Sequence, residues 1–369
     1  MSSDGKRVWV LGAGMAGLCA AARARELGAA PLVLEKGSRA GGSMLLSSGV
    51  VWRYRSFDEF RAQCPDGDER LQRLVFDGLD EGLEWLESLG APVVERETGN
   101  PLTSGARFDT QGLTDALVRA AGEVRFGQGP GTVPGAWPEG TAVLATGGFQ
   151  GDRELVERYV RPAAPLRVRA NPWSTGDGLR AGLERGAELS DGLAEFYGRN
   201  MADVDFGEGE FVSLAQVYGR YARIVNERGE EFFDGAAVSW SELDLVQATA
   251  HQPGARAWYL LDEKALEQRV RYGTVGDLVA QAPTRVPPDQ LSFPADGAAA
   301  AVRVAAAITH TIGGLRVDGR ARVLGVDGQP LDGLYAAGAD AGGISTGGYA
   351  SGLASALVLG RAAAEDAVR

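Results

Sequence analysis

The chain has 369 residues, 44% hydrophobic and 23% charged, with a formal net charge of −12, enough length for a large core and for two domains. The acidity argues against nucleic acid or an anionic membrane as the main partner. Two cysteines, Cys19 and Cys64, and two histidines, His251 and His310, exclude a disulfide framework, a CxxCH haem site and a metal centre built on Cys or His.

The first stretch, KRVWVLGAGMAG (residues 6–17), runs from a short apolar segment into Gly12-Ala13-Gly14-Met15-Ala16-Gly17. LCAAARARELG follows with helical spacing, and APLVLEK then reads as a second strand ending at Glu35. Strand, glycine turn, helix, strand and terminal acid are the order a βαβ dinucleotide site requires. Gly12 serves the tight turn, Gly14 the approach of a pyrophosphate, Gly17 the helix–strand contact and Glu35 a ribose. The glycines alone do not choose between NAD and FAD. Absence of a secretory apolar core, a twin-arginine run or a membrane-length apolar stretch makes the cytoplasm the expected location.

Lys36 and the Gly41-Gly42-Ser43 turn come next. Residues 57–93 have helical spacing at Leu71, Leu74, Val75, Leu79, Leu83, Trp85 and Leu86. VLATGGF (143–149) is a strand that ends in a glycine turn carrying Ala145, Thr146 and Gly147. NPWSTGDGLRAGLERGAEL (171–189) opens a helix, with Thr175 or Asp177 as its cap or its first N–H groups as an anion contact. FVSLAQVYG and YARIVNERGEEFFDG read as strand-like, and APTRVPPDQLSFP closes that region. Glycine loops then return in ITHTIGGLRV and GLYAAGADAGGISTGGYASGL, before a final helix. The predicted organisation is α/β: a Rossmann-like dinucleotide domain in two segments, 1–200 and 305–369, interrupted by a smaller α+β capping domain at 201–304.

GAGMAG, EK with its GG pair, ATGGF, TGDGLRAGLERGA, ARIVNERGEEF, His310-Thr311-Ile312-Gly313-Gly314 and GLYAAGAD occur in that order. The sequence thereby resembles the FAD-dependent fumarate reductase/succinate dehydrogenase flavoprotein superfamily, which includes the 3-ketosteroid dehydrogenases. The resemblance implies FAD, bound by the first and last segments. Gly338 and Asp340 then lie at the ribityl chain, and Ser351, Gly352 and Leu353 offer helix N-terminal groups to the flavin. The arginine that dicarboxylate reductases carry in the last glycine loop is replaced here by Tyr349, as in the ketosteroid branches. The implied chemistry is hydride transfer at a CH–CH bond beside a carbonyl, with Tyr349 moving a proton and His310 orienting the carbonyl. Tyr218 and Tyr221 are further proton-transfer candidates, and Arg223, Arg228 and Arg256 are the arginines of a competing carboxylate-reductase reading. A non-catalytic FAD-binding protein is the alternative of another class. The partners implied are a small-molecule substrate and a separate electron donor or acceptor.

Overall fold

The computed structural model describes residues 6–129, 140–270 and 273–369. The chain divides into two compact units: Met1–Tyr159, Ala170–Phe196 and His310–Arg369 form the first, and Val160–Arg169 with Tyr197–Thr309 form the second. The second unit is thus wider than the 201–304 segment and includes residues 160–169.

The first unit is built on a six-stranded sheet in the order Arg322–Leu324, Pro330–Ala336, Thr141–Leu144, Arg7–Leu11, Ala30–Glu35, Val124–Phe126. All neighbours are parallel except the first pair. Leu11 pairs with Leu34 on one side and Leu144 on the other. The three strand ends therefore meet at one edge, and each is followed by a glycine turn. In an open parallel sheet such ends are where ligands are held. Continuous apolar runs such as VWVL and TAVL suit strands covered on both faces, and Val8, Val10, Ala142 and Val143 are fully buried. A second, antiparallel sheet joins Val50–Tyr54, Thr103–Phe108 and Val93–Glu95.

Helices in this unit begin and end where local chemistry dictates. The first, Met15–Glu26, is alanine-rich without β-branched residues. It stops at Gly28, whose φ of +85° lets the chain turn out of the helix. Glu69–Ser88 starts at Asp68, whose side chain accepts from the Arg70 and Leu71 N–H groups. The last helix, Gly352–Ala367, lies between these two. A Cβ at Gly360 would fall 2.5 Å from the Ala16 carbonyl oxygen, and one at Gly82 would fall 2.9 Å from Leu357. Small residues thus bring three helices close enough for Leu357, Leu359, Ala363 and Ala364 to be buried completely. Burying one such leucine contributes about 1.5–3 kcal/mol.

The second unit holds a mixed sheet, ordered Glu231–Phe233, Arg223–Val225, Arg256–Leu261, Ala300–Thr311, Arg285–Val286. Its core contains Tyr218, Ile224, Leu245, Tyr259, Val275, Val302 and Val304. Two expectations change here. FVSLAQVYG is mostly turns rather than a strand: only Ala215 pairs with a strand, in a single antiparallel bridge to Met201. YARIVNERGEEFFDG forms two three-residue antiparallel strands, Arg223–Val225 and Glu231–Phe233, around a turn at Gly229. Among the described residues no helix is long and apolar enough to cross a membrane.

Candidate functional site

The sheet edge assembles the first group of candidate residues. Gly12 has a φ of +107°, and a Cβ there would lie 2.2 Å from the Ala145 carbonyl oxygen, so only glycine lets the two turns touch. Gly17 is equally tight against the Gly12 carbonyl. Gly14 differs: a Cβ there meets only Gly42 Cα, at 4.0 Å. It caps the first helix without any side-chain hydrogen bond, and Met15 and Ala16 form the first turn, whose N–H groups have no partner within the helix. The Gly41 N–H donates to the Ala13 carbonyl at 2.8 Å, which sets Gly41 and Gly42 beside this helix end. Ser43 Oγ, in the same turn, accepts from the Asn171 N–H at 3.4 Å. The buried Glu35 carboxylate accepts from the Ala13 N–H at 2.8 Å and the Gly37 N–H at 2.6 Å. It thereby ties the first turn to the end of its own strand.

Lys36 and Asp177 form an ion pair at 2.7 Å, and Lys36 Nζ also donates to Thr175 Oγ1. This corrects the expected capping of Asp177–Glu184. The cap position is Gly176, at φ +80°, with no side-chain hydrogen bond. Lys36 instead engages the Thr175 hydroxyl and the Asp177 carboxylate, and such charge-assisted contacts outweigh a neutral N–H donor.

Asp340 is 1% exposed. Its carboxylate accepts from the Thr146 N–H and hydroxyl and from the Gly148 N–H. Gly178 lies directly over it, since a Cβ there would come within 2.3 Å of the carboxylate. Asp340 thus latches the turn that carries Ala145, Thr146 and Gly147. Burial pushes its carboxyl upward, while the hydrogen bonds pull the other way. Gly338, two residues earlier, has a φ of +67° and packs on Ala16 of the first helix.

The last helix organises the remaining group. Ser351 is its N-cap and accepts from the Ala354 N–H at 3.3 Å. Gly352 and Leu353 occupy the first two helical positions, whose N–H groups have no intrahelical acceptor. The imidazole of His310 lies against this end: a Cβ at Gly352 would be 3.5 Å from its Cε1. Burial pushes the His310 pKa down to about 4, so the ring is neutral at ordinary pH. Tyr349, half-buried, stands three residues before Gly352. Its ring centroid is 5.4 Å from that of Trp52, and Tyr54 donates its hydroxyl to the Tyr349 carbonyl at 2.6 Å. Reading the sequence did not find Trp52 or Tyr54. Nothing in a strand reading VVWRY announces a partner nearly three hundred residues away.

The second unit places the other candidates in structural roles. Tyr218 is fully buried and donates to Gln216 Oε1 at 2.6 Å, and Tyr221 packs against the same core. Tyr218 is thus a core residue of this unit, and Tyr221 is half-buried at the edge of that core. Arg256 is held by Asp203 at 2.7 Å, together with Arg167 and Arg303. Arg223 and Arg228 are exposed. Glu242, also missed by the sequence reading, is buried at a φ of +53°. Its carboxylate accepts from the Gly219 N–H at 3.1 Å, and desolvation pushes its pKa up to about 7 against the pull of Arg199.

The chain's own residues fit an FAD on three observations. Gly14 leaves its side of the turn clear, and the first helix lacks a side-chain cap. Gln150 Oε1, Thr311 Oγ1 and Thr346 Oγ1 are buried with no hydrogen-bond partner among the described residues. Buried polar atoms of this kind require an explanation, and an absent ligand is one.

Comparison with known proteins points the same way. A probable fumarate reductase of Shewanella frigidimarina is 26% identical, covering 100% of this chain and 75% of the relative. The open conformation of a flavocytochrome c3 fumarate reductase superposes with a TM-score of 0.74 at 22% identity, covering 99% of this chain and 78% of that one. A 3-ketosteroid-Δ4-(5α)-dehydrogenase from Rhodococcus jostii RHA1 gives 0.71 at 19% identity, covering 100% and 98%. Residues 7–133 and 139–355 match the family described as an FAD binding domain. The chain belongs to that family and is an FAD-dependent oxidoreductase.

Proposed function

We propose that the protein oxidises or reduces a CH–CH bond next to a carbonyl, in the manner of 3-ketosteroid dehydrogenases. The observation that carries this reading is the His310 imidazole lying against the N-terminus of the last helix, with Tyr349 on the loop that leads into that helix. When bound, FAD supplies the centre that exchanges a hydride with the substrate. The FAD-binding domain of this reading is residues 1–200 and 305–369, with 201–304 as the capping domain, a division that differs from the two compact units at 160–169, 197–200 and 305–309. The FAD pyrophosphate and ribose fall to the turn of Gly12, Gly14, Met15, Ala16 and Gly17, to Glu35 and Lys36 and to the Gly41–Ser43 loop. Ala145, Thr146 and Gly147, latched by Asp340, would hold the cofactor together with Gly338 and Asp177, and Ser351, Gly352 and Leu353 would offer helix N-terminal groups to its flavin.

Tyr349 moves the proton at the carbonyl side of the reacting bond. A phenol with a pKa of about 10 is a weak base, and the positive end of a helix lowers the cost of its anion. His310 is neutral, so it donates a hydrogen bond to the carbonyl without giving up a proton. A separate donor or acceptor takes the electrons. The cytoplasm is the setting we propose with this reading, one that keeps the buried thiols of Cys19 and Cys64 reduced.

A second reading, reduction of an unsaturated carboxylate, is favoured by the Shewanella relative. One anaerobic experiment separates the two. Bound FAD is followed at its visible bands with 3-ketosteroids, cyclic enones and saturated dicarboxylates, and in reduced form with their unsaturated partners. The ketone reading expects a response to the first two classes only, and Tyr349→Phe should retain FAD while slowing it at least about 100-fold. A response to dicarboxylates alone, or a Tyr349→Phe protein as fast as the parent, defeats it.

A further inference from the structure

The loop before the last helix rests on the elbow between helices Phe57–Gln63 and Glu69–Ser88. Gln72, fully buried, donates from Nε2 to the carbonyls of both Cys64 and Ile344, each at 2.9 Å. Its Oε1 accepts from Arg61, which also binds the Gly67 and Pro65 carbonyls. The Asp68 N–H donates to the Gly343 carbonyl at 2.7 Å, and the Gly347 N–H donates to Glu195 at 2.8 Å. Gly348 lies so close that a Cβ there would fall 1.7 Å from the Gln63 carbonyl oxygen.

At the centre of this bed the Tyr349 backbone is held on both sides. Its N–H donates to the Cys64 sulfur, and its carbonyl accepts from the Tyr54 hydroxyl at 2.6 Å. Tyr54 and Cys64 are 1% and 0% exposed, so water does not compete for either contact. The Tyr54 ring is wedged between Trp52, edge-on at 5.3 Å, and Phe60 at 5.5 Å. Trp52 in turn flanks the Tyr349 ring. With both peptide groups of residue 349 fixed, the direction of its Cα–Cβ bond is fixed as well, and only two side-chain torsions remain to place the phenol.

We propose that Tyr54 and Cys64 are positioning residues that aim the Tyr349 phenol, acting through its main chain. The consequence for turnover rests on the acid–base reading of Tyr349 given above; the consequence for the ring's orientation does not. Misaiming a reacting group by about an ångström costs up to about 100-fold in rate, whereas substrate binding elsewhere is untouched.

The test uses the full-length FAD-loaded protein with Tyr54→Phe, Cys64→Ala and Cys64→Ser. It has two readouts. Fluorine NMR of protein labelled with 3-fluorotyrosine reports the Tyr349 ring, its line identified by loss in Tyr349→Phe. That line should shift or split in Tyr54→Phe and Cys64→Ala, and stay near the parental position in Cys64→Ser, which keeps an acceptor. With the substrate found above, kcat should fall roughly 10- to 100-fold in the first two variants. Over the same substitutions KM and FAD content should hold and the solvent isotope effect should rise. An unchanged Tyr349 line in both variants overturns the proposal. So does a loss of rate that merely follows loss of FAD or of folded protein. If Tyr349→Phe turns over normally while the fluorine line still moves, the acid–base reading has failed and the positioning has not.

Discussion

At the scale of single residues, desolvation sets the direction in which His310 titrates. Desolvation of its imidazole at the end of the last helix penalises the charged form, and the pKa falls to about 4. Proton NMR should show the His310 signal, identified by its loss in His310→Gln, titrating near pH 4 rather than near 6.5. The sign for stability follows. Between these values the unfolded chain binds the proton and the folded one does not, so the native state loses stability as pH falls from 6.5 toward 4. Activity that depends on neutral His310 should show no limb from this residue above pH 5. A His310 midpoint at or above 6.5 would contradict the buried placement. Glu242 is the opposite case, a carboxyl pushed up to about 7. Its proton is lost as pH rises through that value, and with it the stability of the protonated, buried form.

At the scale of elements, neighbouring glycines in one turn have different jobs. Gly12 is a packing position, since it touches Ala145 and has a positive φ. Gly14 borders clear space at an uncapped helix end. Gly12→Ala should therefore fail at folding, yielding little soluble protein or a melting temperature lowered by several degrees. Gly14→Ala should fold with the parental melting temperature as apoprotein, yet retain less than about a tenth of the FAD absorbance per chain, as an inserted methyl fills space meant for ligand. Equal losses of fold in both would remove the distinction. The βαβ unit was legible because everything it needs is local: an apolar run, glycines at fixed spacing, a helix and a terminal acid within thirty residues. The bed beneath Tyr349 was not. Tyr54, Cys64 and Gln72 carry no pattern that marks them, and their partners lie on a loop that only tertiary folding brings over them. The helix cap at Thr175 or Asp177 was misread for a related reason, since the competing Lys36 is distant in sequence.

At the scale of the whole molecule, it is the family resemblance, carried by glycine motifs near both ends, that implies one cofactor for the first and last segments. The packing that joins them, Gly360 on Ala16 and Leu357 on Gly82, was not readable, because the first and last helices are alanine-rich and buried on most sides, so no single stripe marks the partner of each. A chain ending at residue 351 should accordingly lack a stable first unit. It should retain under about a tenth of the parental flavin absorbance and be cleaved readily within residues 6–88 by a trace protease. Flavin retention by that shorter chain would show that the last helix is dispensable. The same junction has a consequence for biosynthesis. The first helix leaves the ribosome more than three hundred residues before the last helix, which covers it. At about 5–20 residues per second, synthesis leaves that surface uncovered for roughly 20 to 70 seconds. A complete cofactor site therefore cannot form until Gly352–Ala367 has been synthesised, long after Met15–Glu26.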